Sequence, residues 1–226
     1  MRKVAFLVAV LLAIFALGYS KVLATPSGSL NLYPPESKPY DKPYDEHVID
    51  FWKWVLSIPK ATSPWNDQTG ENCTNGQSGS NSSVFYLSGN GGGESDRTCK
   101  VPAGKGLFVP VSPMEISDKE APNSSVEDLH RIAKNDQDSV TSLYLKIDDT
   151  QYSREDLGKY RIDTEDFEVI FPEDPVFGVT EGRSVAVADG YYVITEPLEV
   201  GNHTIVYKST LSLPFAQDIT YHIIAE

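Results

Sequence analysis

Hydrophobic and polar positions follow two rhythms along this 226-residue chain. In "DEHVIDFWKWVLSIP", residues 45–59, the apolar residues Val48, Phe51, Trp52, Val55 and Leu56 recur at three- and four-residue spacing, which predicts a helix with one apolar face. Asp45 is placed to cap it, Glu46 suits its positive end, and Pro59 stops it. His47 and Trp54 fall together on the flank of that face, where packing at the core edge is the ordinary role and stacking on a sugar or partner is the alternative.

After Pro59 the period shortens to two. Eight short runs, "SVFYLS", "LFVPVS", "SLYLKID", "FEVIF", "SVAVAD", "YYVITE", "HTIVYK" and "DITYHII", are each bounded by Gly, Pro, Asn or Asp. They predict a mainly β fold, an antiparallel β-sandwich of immunoglobulin-like or jelly-roll-like kind. In "DITYHII" the residues Ile219, Tyr221 and Ile223 share one face, and Thr220, His222 and Ile224 the other. Asp189-Gly190 reads as a tight hairpin turn between two of the runs. Between the second and third runs, "NSSVEDLHRIAKND" predicts a short crossing helix, with Ser125 as its cap, Asp128 three residues on, and Val126, Leu129, Ile132 and Ala133 along one side.

The segments before residue 45 have a different character. "MRKVAFLVAVLLAIFALGYSKVLA" sets Arg2 and Lys3 ahead of an apolar stretch and reads as a secretory signal peptide, residues 1–24, cleaved after Ala24. An uncleaved membrane anchor is the alternative, and no other segment has the length and apolarity to span a bilayer. Residues 25–44, with the tandem "KPYDKPYD", form an extended Pro- and Tyr-rich tether or strap, because recurring Pro forbids a regular helix. Residues 45–226 are expected to make one domain.

Charge narrows the partners. The formal net charge is −13, and cleavage would remove the cations Arg2, Lys3 and Lys21 and no acid, taking it to −16. Such a surface repels phosphate backbones, so nucleic acid is excluded as a partner. An envelope or extracellular component is the expected one, with a membrane touched only through an uncleaved N-terminal segment.

Two cysteines, Cys73 and Cys99, allow a secreted chain one intramolecular disulfide. A metal knuckle would need further soft ligands, and the intervening stretch contains no His. "SGNGGGE" lacks the spacing of a dinucleotide fingerprint, and "PAGKGLF" lacks the Ser or Thr of a P-loop. The glycines are better read as a positive-φ loop joining two strands, held near its base by the disulfide. Sequons stand at Asn72, Asn81, Asn123 and Asn202, and Asn81, Asn123 and Asn202 are the glycosylation candidates, the first sequon being hindered by Cys73.

Catalytic signatures are sparse. "GQSGS" ends in Ser80 where a nucleophile elbow needs Gly. His47, His130, His203 and His222 are isolated in sequence, and a metal pair of His203 with His222 on neighbouring strands is the alternative to four separate histidines. Acids are abundant, and a glycosidase would need two of them facing across a cleft, which sequence alone cannot select. "NDQDSV", with Asp136 and Asp138, begins like a calcium loop without completing one. No cofactor is expected, with calcium in an acidic loop the exception.

Several blocks together resemble a family of uncharacterised secreted bacterial and archaeal proteins: the helix ending "VLSIP", then "DQTGENCTNGQSG", "RTCKVPAGKGLFVPV", "ADGYYVITEPLEVGNHTIVYK" and "DITYHI". The resemblance runs over most of residues 45–226, with "SNSS" at residues 80–83 as an insertion and Tyr192 where an aromatic, often Trp, is expected. It implies a shared disulfide-bearing β fold outside the cytoplasm and no activity. On these blocks the expected binding residues are Trp54, Trp65, Asp67 and Glu115, at the helix end and the loops beyond it. The reading is a secreted or cell-surface structural or ligand-binding module. A carbohydrate- or calcium-dependent adhesion module and an extracellular hydrolase using paired carboxylates are the alternatives.

Overall fold

The computed structural model describes residues 30–77, 82–212 and 214–226. The signal peptide, the first five residues of the tether and the Asn81 sequon lie outside the described residues. Helix α1 spans Tyr44–Leu56 and starts two residues earlier than its charges predict, with Pro43 rather than Asp45 at the cap position and no side-chain cap. Proline fixes the entry into the first turn without needing a donor there.

Two five-stranded sheets pack as a sandwich. The first runs β1 (Val84–Tyr86), β3 (Gly106–Ser117), β8 (Gly182–Ile194), β6 (Arg161–Asp163), with β7 (Phe167–Phe171) also pairing β8. The second runs β2 (Gly93–Val101), β10 (Ala216–Ala225), β9 (Gly201–Leu211), β4 (Val140–Ile147), β5 (Thr150–Tyr152). Each sheet is mixed: β1 runs parallel to β3, and β2 parallel to β10, while the remaining pairs are antiparallel.

Helix α1 covers the outer face of the first sheet. Phe51 stacks on Phe108 at 5.0 Å, and Phe108 lies 5.5 Å from Tyr192. Helix α2 (Val126–Asp138) carries the expected capping box of Ser125 and Asp128, and sets Leu129 and Ala133 on Val187, Met114 and Ile116. A third helix, α3 (Arg154–Leu157), is a single turn capped in the same way by Ser153 and Asp156.

Residues 30–43 are a strap laid on the sandwich. Leu32 bridges Thr195, Tyr33 N–H donates to Ile194 O, and the Tyr40 hydroxyl donates to Thr195 O at 3.0 Å. The inward face of β10, Ile219, Tyr221 and Ile223, is buried as its alternation predicts.

One local expectation is corrected, and two further segments take forms the sequence did not suggest. "SVAVAD" and "YYVITE" are one strand, β8, and Asp189-Gly190 sits in its middle opposite Met114 and Pro113. Glycine is needed there because a Cβ would come within 2.6 Å of Ser112 O and 2.8 Å of the Tyr192 hydroxyl. "NDQDSV" is the end of α2 running into β4, and Asp138 pairs there with Lys134 and Arg161. Strand β2 carries no apolar alternation, because its inward positions include Ser95, Arg97 and Cys99.

Candidate functional site

The Cys73–Cys99 disulfide ties the loop after α1 to β2. A cross-link of this span stabilises a fold by roughly 3–4 kcal/mol in the chain-entropy picture. Asp67 shapes the same loop: its Oδ1 accepts from the N–H groups of Thr69 and Gly70 and from the Thr69 hydroxyl, and its Oδ2 from Asn72 N–H at 2.7 Å. Burial alone would raise the Asp67 pKa, but these hydrogen bonds outweigh it and hold the carboxyl below its ordinary value.

Beneath the loop lies Arg97, buried without a carboxylate among its hydrogen-bond partners. Its Nε donates to Asp67 O at 2.6 Å, its Nη1 to Ser88 O, Gly89 O and the Tyr221 hydroxyl, and its Nη2 to Gly89 O. Burial works against this charge, yet the Tyr221 and Tyr207 hydroxyls and Asp67 leave its pKa raised. The guanidinium fork thereby locks the 67 and 88–89 segments to β2. Gly89 in turn supports Trp65, whose ring a Cβ at residue 89 would approach to 3.0 Å.

Through Trp65 this scaffold borders a cavity of about 300 Å³ beside the second half of β3. Trp65, in a 3-10 turn that Ser63 caps, lies 5.6 Å from Trp52 and 5.5 Å from Phe177, centroid to centroid. Trp52 is fixed in turn by its indole N–H donating to the Tyr192 hydroxyl at 3.0 Å. Leu211, Phe215 and the β3 residues Pro113, Met114 and Ile116 add to the apolar lining.

The polar lining is acidic. Glu115, on β3, is 5% exposed, and as a carboxylate neither of its oxygens receives a donor from the described residues, the group within hydrogen-bonding reach being the Glu120 carboxyl. Burial first, then the neighbouring Glu120 carboxyl, pushes its pKa well above the ordinary range. Two carboxylates can only accept, so a proton on Glu115 is what allows it to bond Glu120. Glu120 is half-buried and raised by burial, although Ser117 donates to it through both its N–H and its hydroxyl. Asp136, near the end of α2, is also raised by burial, with Asp189 adding to the effect. The adjacent Gln137 is 2% exposed and leaves its Oε1 without a partner. No Lys, Arg or His lines the cavity.

Of the four expected binding residues, the structure places Trp65 and Glu115 on this cavity and Trp54 and Asp67 elsewhere. Trp54 is 6% exposed, stacks on Tyr86 and donates its indole N–H to Asn75 O. Asp67 spends its oxygens on backbone N–H groups. With Trp65 only 8% exposed as well, the two indoles form no solvent-facing platform of the kind an adhesion module would use. Trp52, Glu120, Gln137, Phe177 and Phe215 were not singled out as site residues from sequence, and Asp136 was named only with the acids of the calcium-like stretch. Trp52 reads as an ordinary core position of α1, and only the folded topology brings the turn after β3 to the end of α2.

The histidines do not converge. Ile223 stands opposite His203 in the β9–β10 register, so His203 and His222 point to opposite faces. His203 is buried between Asp148 and Glu199 O, and His222 faces Asp96 at the surface. His47 packs against Pro39 O, and burial lowers its pKa. Among the described residues no group of three or more His, Cys, Asp or Glu is arranged to hold a metal ion, and no helix is long and apolar enough to cross a membrane.

No protein-family model matches the chain, and no curated protein does. Among solved structures, that titled "Structure of PbICP-C in complex with falcipain-2" is similar at 11% identity over 63% of this chain and 98% of that one, with a TM-score of 0.26. A likeness at that level carries no functional information. The protein is thus defined by its own features: a disulfide-bonded β-sandwich with an aromatic-walled, acid-floored cavity.

Proposed function

We propose that the protein is an extracytoplasmic ligand-binding module, and that the cavity beside β3 is where it binds a small organic molecule. The observation that carries this reading is Glu115, an almost fully buried acid that receives no donor as a carboxylate and has another acid, Glu120, as its hydrogen-bonding neighbour, set in a cavity walled by Trp52, Trp65 and Phe177. A fold normally pairs its buried polar atoms, and exceptions concentrate where something else is to be bound. The disulfide fits an oxidising compartment, as the N-terminal segment and the secreted family it resembles also imply.

The test is a fragment screen on residues 25–226, read by tryptophan emission and thermal shift, with sugars, aromatic alcohols and aromatic amines in the set. Binding should change the emission and raise the Tm, and Trp65→Ala should abolish both responses. A set in which nothing shifts either signal, or in which Trp65→Ala responds like the parent, refutes the reading.

A hydrolytic role is the second reading, favoured by one observation: Glu115 and Glu120 are neighbouring acids, both raised, at one cavity. It requires turnover of a chromogenic glycoside or ester that Glu120→Gln removes.

A further inference from the structure

We propose that the ligand of this cavity carries a protonated amine, an ammonium with N–H donors on a small aromatic or aliphatic body, and that the Glu115–Glu120 pair receives the ammonium while Trp52, Trp65 and Phe177 enclose the body. This rests on the cavity being a binding site, and adds the chemical class of what enters it.

Polar groups left over at the cavity all have one sense. With Glu115 ionised, both of its oxygens and the Oε1 of Gln137 are buried acceptors that no donor among the described residues reaches. A sugar would bring hydroxyls that accept as well as donate, and would leave its own acceptors facing carboxyls. A carboxylate or phosphate ligand would meet only like charge, since Glu115, Glu120 and Asp136 line the cavity without a cation among them. An ammonium has only donors and one positive charge, and so matches both the hydrogen-bonding and the electrostatic character of the lining.

The walls agree with the floor. Trp52, Trp65 and Phe177 lie within 6.5 Å of one another, centroid to centroid, and their ring faces attract a cation as readily as an apolar body. A bare metal ion would leave those rings without a role, and the described acids are not grouped as its ligands. At about 300 Å³ the space is at the small end of the range for ligand pockets, roughly 300–1,000 Å³, which suits a single ring with a short amine-bearing arm. A proton on Glu115 supplies the pair with one donor, and an ammonium, with several N–H donors, can take its place.

Calorimetric titration of the disulfide-bonded chain with three matched probes tests this: 2-phenylethylamine, 2-phenylethanol and 3-phenylpropionate. The amine should bind at least tenfold tighter than the alcohol, and the carboxylate weakest. Glu115→Gln and, at the half-buried position, Glu120→Gln should each weaken the amine about tenfold and change the alcohol by less than about twofold. Either variant suffices if the other does not fold. If the alcohol binds as tightly as the amine, or the amine's advantage survives in both variants, the ammonium assignment is wrong while the cavity remains a binding site. If none of the three binds, both readings fall together.

Discussion

Asp67 and Glu115 are two acids of similar burial, 7% and 5% exposed, that the fold treats in opposite ways. The Asp67 carboxylate takes four hydrogen bonds, three of them from backbone N–H groups, and is held below its ordinary pKa. The Glu115 carboxylate receives no donor from the described groups around it, faces the Glu120 carboxyl, and is held well above. The same contrast divides their aromatic neighbours: Trp54 gives its indole N–H to a backbone carbonyl of the disulfide loop, while Trp65 turns its ring to the cavity. Burial therefore does not separate scaffold from site here, whereas hydrogen-bond satisfaction does.

The largest effect should come from the satisfied acid. Asp67→Ala strands three backbone donors and releases the loop whose carbonyl Arg97 holds, so we expect a loss of about 3–5 kcal/mol, read by urea unfolding. Its folded pKa is depressed, so the stability it confers is present above the unfolded carboxylate value, about 4, and is lost as pH falls through the lower folded value. Asp67→Ala should be less acid-sensitive than the parent. An Asp67→Ala protein as stable as the parent would break the contrast at its structural end.

Glu115 should give the smaller effect and the opposite sign. Its folded pKa is raised, so the stability of its folded environment is present below the unfolded value and is lost as pH rises through the folded one. The titratable groups around it, Glu120 on the turn after β3, Asp136 on α2 and Tyr192 on β8, supply no positive charge to reverse this. Glu115→Gln should be at least as stable as the parent at acid pH and gain on the order of 1 kcal/mol at neutral pH, flattening the pH dependence of unfolding. A loss of stability at neutral pH would show that the carboxylate is satisfied after all.

How much of this the sequence showed follows the same division. The helix face of α1, the capping box of α2, the alternation of β10 and the pairing of Cys73 with Cys99 are local patterns or forced choices, and the fold keeps them. Strand β2 escaped because its buried face is made of Ser95, Arg97 and Cys99, whose burial depends on partners as distant as Tyr221. Gly190 mimicked a turn because close approach of the Tyr192 hydroxyl, not a positive φ, demands a residue without a Cβ. Trp65 and Glu115 were legible as residue types, but Glu120 and Gln137 join them only through the turn after β3 and the lie of α2. No periodicity encodes that meeting.

A third carboxylate sets the scale for the other two. Asp218 of β10 stands directly opposite Lys208 of β9 and pairs with it at 2.6 Å, with both side chains more than a third exposed to water. Its geometry is as good as that of Asp67, but water solvates both partners before and after folding, so the pair should contribute no more than about 0.5 kcal/mol. Lys208→Ala and Asp218→Asn, alone and together, measure that coupling in a double-mutant cycle, and added salt should shrink it further. If it proved as large as the cost of Asp67→Ala, burial would no longer account for the difference, and the opposed behaviour of Asp67 and Glu115 would need a cause other than how each carboxyl is paired inside the fold.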